Sequence, residues 1–312
     1  MKADAPLVSV LIPVFNAAAF LAATLDSVLA QTWPNLEIIV VDDGSTDRSA
    51  EIIEQYRDRG VEVIRQDNLG STAARNRAFA ASNGAFVQFL DHDDLIDPDK
   101  ITIQMRRLIA DPLSVASCEA GCFTRQPEET RFEPLATWSD LEPREFLTRN
   151  FQPCEIVTAQ WLIPRPIAEA AGPWNEALGV FDDREYLTRI VLAARWVLFC
   201  PGARCRFRIG NPGSLSQRPD WASRFAAIEL CQKHFLARFE DESVRRCLAI
   251  DWQELAHACL PYDPGLAKES LARGKALHPI KVRPGGGSRF RVASSLLGWR
   301  MARRLQAMAG RR

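Results

Sequence analysis

Twice in its first hundred residues this chain runs a short apolar stretch straight into a set of carboxylates. Leu36-Glu37-Ile38-Ile39-Val40-Val41 leads into Asp42-Asp43, and Ala85-Phe86-Val87-Gln88-Phe89-Leu90 leads into Asp91-His92-Asp93-Asp94. Short runs rich in β-branched and aromatic residues read as buried strands. The acids then stand at the C-terminal ends of two strands, the edge where an open α/β sheet takes its ligands. Crowded carboxylates repel one another. A hard divalent cation such as Mg²⁺ or Mn²⁺, which prefers oxygen ligands, relieves that repulsion. An acidic turn leading into the next helix, with Asp97-Pro98-Asp99 following, accounts for the second cluster equally well, so the rest of the chain has to decide.

The surrounding pattern favours a sheet. Val8-Ser9-Val10-Leu11-Ile12-Pro13-Val14 predicts a strand, and Phe20, Leu21, Leu25, Val28 and Leu29 predict a helix between Ala17 and Ala30. Ser49 to Arg57 reads as a helix, Val61-Glu62-Val63-Ile64 as a strand, and Asn68 through Ala81 as a helix. Strands alternating with helices over about a hundred residues predict a parallel α/β sheet of the nucleotide-binding type. After Asp111-Pro112 the rhythm loosens. Strand-like pieces occur at Ser114–Thr124 and Ile156–Ile163, Arg184 to Ala194 reads as a helix, and the pattern is helical from Trp221 to about Ala276.

Composition matters chiefly through its distribution. Lys+Arg and Asp+Glu are 39 each over 312 residues. From Ser270 onward there are eleven Lys/Arg and no acid, which leaves 28 basic against 39 acidic residues elsewhere. A basic tail behind the flexible Pro284-Gly285-Gly286-Gly287-Ser288 points to an anionic surface. Its apolar residues at roughly helical spacing suit a membrane surface through the tail, and a charged helix packed on the body is the other reading. No nucleic-acid-binding module accompanies the charge, so nucleic acid is not an expected partner. No apolar run approaches the ~18 residues of a membrane span, and the first residues carry no signal-peptide pattern. The chain is expected in the cytoplasm, or peripheral on the cytoplasmic face of a membrane. Eight cysteines without a CxxC pair, beside four histidines, predict free, mostly buried thiols rather than a zinc site.

Several residues suit nucleotide chemistry. Asp42 is placed to accept hydrogen bonds from a base or ribose. Gly44-Ser45-Thr46 turns into a helix whose free N–H groups favour phosphate oxygens. Arg75 suits a base or a diphosphate, or else a surface salt bridge.

Taken in order, Val-Ser-Val-Leu-Ile-Pro-Val-Phe-Asn (8–16), Gln-Thr-Trp-Pro-Asn-Leu-Glu-Ile-Ile-Val-Val-Asp-Asp-Gly-Ser-Thr-Asp (31–47), Asn-Leu-Gly-Ser-Thr-Ala-Ala-Arg-Asn (68–76) and Phe-Leu-Asp-His-Asp-Asp (89–94) resemble a family 2 glycosyltransferase. The resemblance implies a GT-A fold: an α/β nucleotide-binding sheet with helices on both faces, followed by a mainly helical C-terminal region. It implies nonprocessive, inverting transfer of one sugar from a nucleotide-diphosphate sugar donor to a sugar or lipid-linked sugar acceptor, in cell-surface polysaccharide or glycolipid assembly. The implied nucleotide site is Pro13, Val14, Asn16, Asp42, Asp43, Arg75, Asp91 and His92. Asp91 and Asp93 become the DXD ligands of Mn²⁺ or Mg²⁺. The implied organisation is a nucleotide-sugar half (1–110), an acceptor half with the catalytic base (111–216), a helical region (217–283) and the linker with its basic tail (284–312).

Fainter similarities continue downstream. Ala171-Gly172-Pro173-Trp174-Asn175-Glu176-Ala177-Leu178 is similar to the family's Gly-x-Phe-Asp-Glu-x-Leu segment, and Phe181-Asp182-Asp183-Arg184-Glu185-Tyr186-Leu187-Thr188-Arg189 to its Glu-Asp-x-Glu-x-x-x-Arg helix. Inversion requires a base on the acceptor side of the sugar. Asp183 matches that position and Asp182 is the fallback, while acids enriched at a helix N-terminus are the plain alternative. Glu185 and Arg189, four apart, are expected to support the helix. Phe207-Arg208-Ile209-Gly210-Asn211 resembles a loop closing over the diphosphate, with Arg208 neutralising charge and Asn211 where the family commonly has His. Gln217-Arg218-Pro219-Asp220-Trp221 is similar to the Gln-x-x-Arg-Trp of processive synthases only by coincidence, since Asp220 takes the Arg position. Trp138, Trp161 and Trp174 suit stacking on sugar, but core burial is the expectation for each. Two rivals are a catalytically silent sugar-nucleotide-binding scaffold and a nucleotidyltransferase. The paired acids argue against the first, and Pro-Val-Phe-Asn in place of a basic Gly-rich loop argues against the second.

Overall fold

A run of apolar residues buried on both faces belongs at the centre of a sheet. Val8–Val14 is such a run, and every residue of this strand, β1, is buried. The computed structural model describes residues 5–150, 157–210 and 220–280. After β1 the chain continues through α1 (Leu21–Leu29), β2 (Leu36–Asp42), α2 (Ser49–Gln55), β3 (Val61–Arg65), α3 (Ser71–Ala81), β4 (Phe86–Phe89), β5 (Leu95–Ile96), α4 (Lys100–Ala110) and β6 (Val115–Phe123). Then come α5 (Pro143–Asn150), β7 (Ile163–Pro164), α6 (Arg165–Ala171), α7 (Asp182–Ala193), β8 (Val197–Arg208), α8 (Trp221–Leu236), α9 (Glu242–Cys259) and α10 (Pro264–Leu277). Two compact units result: Met1–Leu147 with Glu155–Arg218, and Thr148–Cys154 with Pro219–Arg312.

The main sheet of the first unit has the order β3-β2-β1-β4-β7. β2 and β4 pair parallel to β1, and β7 alone runs antiparallel. Val14 lies opposite Asp42 and Leu11 opposite Phe89, so the loops after β1, β2 and β4 open at one edge. Between β3 and β4 the chain crosses from one side of β1 to the other. That reversal leaves a crevice beyond the strand ends. Val10, Ile12 and Val14 share a core with Leu21, Leu25 and Val28 of α1, while α3 packs against β1 and β2. The mixed α/β architecture expected from the alternation is therefore present, covered on both faces.

A second sheet has the order β5-β8-β6, with β6 parallel to β8 and a bulge between Cys118 and Glu119. Two expectations are corrected here. The stretch ending at Ile163 is not an extended strand: Thr158–Gln160 forms a 3-10 turn, held by the Val157 N–H donating to Gln160 Oε1 at 3.3 Å, and only β7 follows. Phe207 and Arg208 do not begin a loop but end β8, whose outward arginines hid it from an apolar pattern. Helix α1 also starts later than Ala17, because Ala17 and Ala18 are tied to the next loop.

The second unit packs α8, α9 and α10 around Ile228, Trp252, Leu255, Ala256, Cys259 and Ala267. Each helix opens on an aspartate whose side chain accepts a backbone N–H, Asp220 from Ser223, Asp241 from Ser243 and Asp263 from Leu266. All described cysteines are free thiols, and most are buried. Among the described residues no helix is long and apolar enough to cross a membrane. Asn211, Gln217–Pro219 and the basic tail lie outside the described residues.

Candidate functional site

The edge loops are built from short polar side chains that bind backbone. Asn16, at φ 50°, turns the chain off β1 in the left-handed region, which Asn tolerates better than bulkier residues. Its Oδ1 accepts the N–H groups of Thr46 at 2.8 Å and Asp47 at 3.3 Å. In return, the Asn16 N–H donates to Ser45 Oγ and the Ala17 N–H to Ser49 Oγ. The loops after β1 and β2 are thereby fixed to each other. Asp42 accepts the Ser45 N–H at 3.0 Å. Asp43 is buried and accepts from Gln66 Nε2 at 2.7 Å, the Leu69 N–H at 2.9 Å and the Gly70 N–H at 2.8 Å. Gly44 makes this turn at φ 75°, where an added Cβ would meet the Asn68 nitrogen at 3.0 Å. Pro13 and Val14 contribute backbone: the Val14 carbonyl accepts the Asp43 N–H, and the Pro13 carbonyl lies 3.3 Å from His92 Nδ1. Between these loops Phe15 is 41% exposed and Leu69 66% exposed, two apolar side chains left open at the sheet edge.

The acids after β4 sit differently. Asp91 is half-buried and bonds Arg75 Nη2 at 2.6 Å. Asp93 lies half-buried in the same turn. Asp94 is buried and accepts the Arg208 N–H at 3.0 Å. Burial, and then the charges of Asp91 and Asp93, push the Asp94 carboxyl well above the usual carboxylate range. The Arg208 guanidinium lies over two rings, 4.3 Å from the centroid of Phe20 and 4.5 Å from that of Phe123. Among the described residues no group of three His, Cys, Asp or Glu side chains is set to hold a metal ion by itself.

Helix α7 begins at a second strained point, Phe181 at φ 64°. Asp182 bonds Arg75 Nη1 at 2.8 Å, so one guanidinium joins the acid after β4 to the acid pair opening α7. Arg75 is 6% exposed; the surface salt bridge weighed for it becomes a buried bridge with two carboxylates. Asp183 accepts the Arg184 N–H at 2.7 Å. Burial, together with the neighbouring charge of Asp182, pushes the Asp183 carboxyl up to about 7. Burial raises Asp182 too, against the pull of Arg75. Glu185 and Arg189 do more than support their helix. They form a forked pair with both bonds at 2.8 Å, and Arg189 also donates to the carbonyls of Ala171 and Pro173. The loop before α7 is pinned in this way.

The structure thus brings Asp91, Arg75, Asp182 and Asp183 into one electrostatic group, and Asp94 onto Arg208. Asp42 and Asp43 are engaged in hydrogen bonds of their own, to the Ser45 N–H and to Gln66, Leu69 and Gly70. Sequence reasoning missed Trp174 as a partner of Arg75, with the guanidinium carbon 4.5 Å from its ring centroid, and missed Asn76, which bonds the Trp174 backbone. Asn76 directly follows Arg75 in its motif, which was the available signal. Trp161 and Trp174 are buried, while Trp138 is half-buried and stacked on Phe199 at 5.4 Å.

Residues 9–170 match the family model described as Glycosyl transferase family 2. The chain is 31% identical to the putative glycosyltransferase EpsH of Bacillus subtilis over 222 residues, 69% of this chain and 64% of that one. It is 42% identical over 103 residues to the putative teichuronic acid biosynthesis glycosyltransferase TuaG of the same species, covering 32% of this chain and 41% of that one. An uncharacterized glycosyltransferase of Escherichia coli, YibD, is 39% identical over 39% of this chain and 36% of its own. The chain therefore spans less than two thirds of the length of these relatives. Among solved structures, S. aureus TarS 1-349 in complex with UDP-GlcNAc superposes with a TM-score of 0.69 at 16% identity, over 96% of this chain and 88% of that one. The fold is shared at that identity.

Proposed function

The chain belongs to glycosyl transferase family 2, and on that footing we propose that it transfers a single sugar, with inversion, from a nucleoside diphosphate sugar to an acceptor hydroxyl. The observation that carries this reading is Arg75 bridging Asp91, at the edge where the sheet would take a nucleotide, to Asp182, beside a second acid free to work as a base. The two halves of such a reaction, donor and acceptor, meet at that guanidinium.

Asp183 is the proposed base. A carboxylate held at about 7 accepts a proton from an acceptor hydroxyl far better than one near 4, and it is still ionised in good part at neutral pH. Asp182 stays paired with Arg75, and its charge adds to the burial that raises Asp183. On the donor side, Pro13, Val14, Asn16, Asp42 and Asp43 shape the nucleotide pocket, with Asn16 and Asp43 acting through the loops they hold. Phe15 supplies an apolar face for a base. Arg208, seated on Phe20 and Phe123, neutralises charge on the leaving diphosphate, and Asn211 follows in the same segment.

The donor set after β4 fits a hard cation. Beside His92 it offers carboxylate oxygens, and Asp94 is disfavoured as an anion by burial and then by Asp91 and Asp93, a conflict that added positive charge relieves. Mg²⁺ is typically held by one or two carboxylates and completed by substrate phosphates. Asp91 and Asp93 would hold Mn²⁺ or Mg²⁺, and its chemistry would be neutralisation of the diphosphate charge. TuaG is described by its role in teichuronic acid biosynthesis, and by analogy we place the acceptor in cell-surface polysaccharide or glycolipid assembly. The basic tail supports a site at the cytoplasmic face of an anionic membrane.

Thermal stabilisation of the full chain by UDP-, GDP-, dTDP- and CMP-sugars, with and without Mn²⁺, tests the reading. Stabilisation by one nucleoside diphosphate sugar, dependent on the metal, is the expected result. No shift with any donor would instead favour a silent scaffold.

A further inference from the structure

Arg75 and Asn76, consecutive on α3, hold one tryptophan by different means. The Asn76 amide clamps the Trp174 backbone in both directions: the Trp174 N–H donates to Oδ1 at 2.8 Å, and Nδ2 donates to the Trp174 carbonyl at 3.0 Å. The ring so fixed is the seat of the Arg75 guanidinium. It also stacks on Tyr186 of α7 with centroids 4.1 Å apart and meets Phe89 of β4 edge-on at 5.2 Å. Trp174 is 2% exposed. One buried ring therefore touches the strand that ends beside Asp91, the helix that begins with Asp182 and the cation that joins the two acids.

A guanidinium is a rigid planar fork, so two carboxylates bonded to its two Nη atoms are held at a set separation. A lysine ammonium offers no such constraint. Arg75 Nε is buried without a hydrogen-bond partner among the described residues, so the guanidinium keeps at least one donor unused. The aromatic seat keeps the cation in place while a partner changes.

We propose that Arg75, seated on Trp174, is a positioning residue that couples the occupancy of Asp91 to the placement of the N-terminus of α7. Donor binding at the sheet edge then sets the acid pair that faces the acceptor. The proposal rests on the glycosyltransferase reading, and the following experiment separates failure of one from failure of the other.

The probe is whichever of UDP, GDP and dTDP, each with Mn²⁺, stabilises the full-length wild-type chain. Backbone hydrogen exchange is followed over residues 181–187, alongside release of the nucleotide from its sugar donor with water as acceptor. In the wild type, the probe slows exchange over 181–187 at least threefold. In Trp174→Leu, probe affinity stays within about threefold, the slowing disappears, and kcat falls at least tenfold with KM little changed. Trp174→Phe keeps a ring under the cation and restores both readouts to within about threefold of wild type. Arg75→Lys keeps a charge but not the fork, and loses the slowing. That variant decides the matter should Trp174→Leu fail to fold. A Trp174→Leu chain that binds the probe and responds at α7 like wild type would overturn the coupling alone. A wild type stabilised by no nucleotide would overturn the functional reading and the coupling with it.

Discussion

Two regions of one sheet edge use aspartate in opposite ways. After β2, Asp43 accepts three hydrogen bonds, two of them from backbone N–H groups, and Asp47 accepts the N–H groups of Ser49 and Ala18. Hydrogen bonds to the anion hold Asp47 below the usual carboxylate range, against a desolvation that opposes them. After β4 and at the start of α7, the carboxylates face each other and share Arg75, and Asp94, Asp182 and Asp183 are all pushed upward by burial. The first region is satisfied and holds shape. The second stores an electrostatic conflict that a ligand can resolve, the usual mark of a working site.

The largest test of that contrast is Asp183→Asn. It removes the proposed base while leaving shape and the Arg184 N–H acceptor in place. Turnover should fall by about a thousandfold, with donor binding, read by calorimetry, unchanged. Normal turnover would remove Asp183 from the base role. Asp43→Ala should do the reverse. It leaves the Leu69 and Gly70 N–H groups without their acceptor, and stability should drop by about 3 kcal/mol in urea unfolding. Asp94→Asn removes a repelled carboxyl yet can still accept the Arg208 N–H. Its stability should fall by no more than about 0.5 kcal/mol. Equal losses from the Asp43 and Asp94 changes would erase the distinction between the two regions.

Acidity separates them again, with opposite signs. Asp183 binds its proton more tightly folded than unfolded, so the native chain holds more protons between about pH 4 and 7. Its contribution to stability therefore declines as pH rises through that window, while kcat/KM should rise with pH through about 7. Asp47, lowered in the fold, contributes stability above its unfolded value and loses it as pH falls through the folded one. Unfolding followed against pH in wild type and Asp183→Asn isolates the first effect. The variant should show a shallower decline as pH rises, with the raised Asp94 and Asp182 still contributing, and keep the acid-side loss.

The same contrast explains what the sequence could disclose. β1, β2 and β4 were legible because inner parallel strands are continuous apolar runs, β3, at the sheet edge, by valines that alternate with Glu62, and the acids after β2 and β4 stand out by position. β8 was not. Its Arg204, Arg206 and Arg208 alternate along the strand, and what settles them is distant in sequence: Glu119, Asp97 and the Asp94 carboxylate that takes the Arg208 N–H. Asp182 and Asp183 were readable as a helix start, but not as the far end of a bridge from Asp91, because Arg75 lies more than a hundred residues earlier. Asp42 and Asp43 look alike as letters, and only the Gln66, Leu69 and Gly70 contacts show that Asp43 is the one fully engaged.

A modest effect is expected at the apolar opening between the satisfied loops. Phe15 directly follows β1 and is 41% exposed although its neighbours Val14 and Ala17 are buried. Lone exposed apolar residues need no explanation, but this one adjoins Asn16, in the nucleotide pocket proposed above. Stacking of a base on an aromatic face contributes about 1 kcal/mol or more, so Phe15→Ala should raise KM for the donor roughly fivefold and leave kcat in place. That split is what uniform binding of ground and transition state produces. A fall in kcat of the same size would mean that the loop after β1 also positions the reacting end of the donor. The satisfied region would then take part in the chemistry that the contrast assigns to its neighbour.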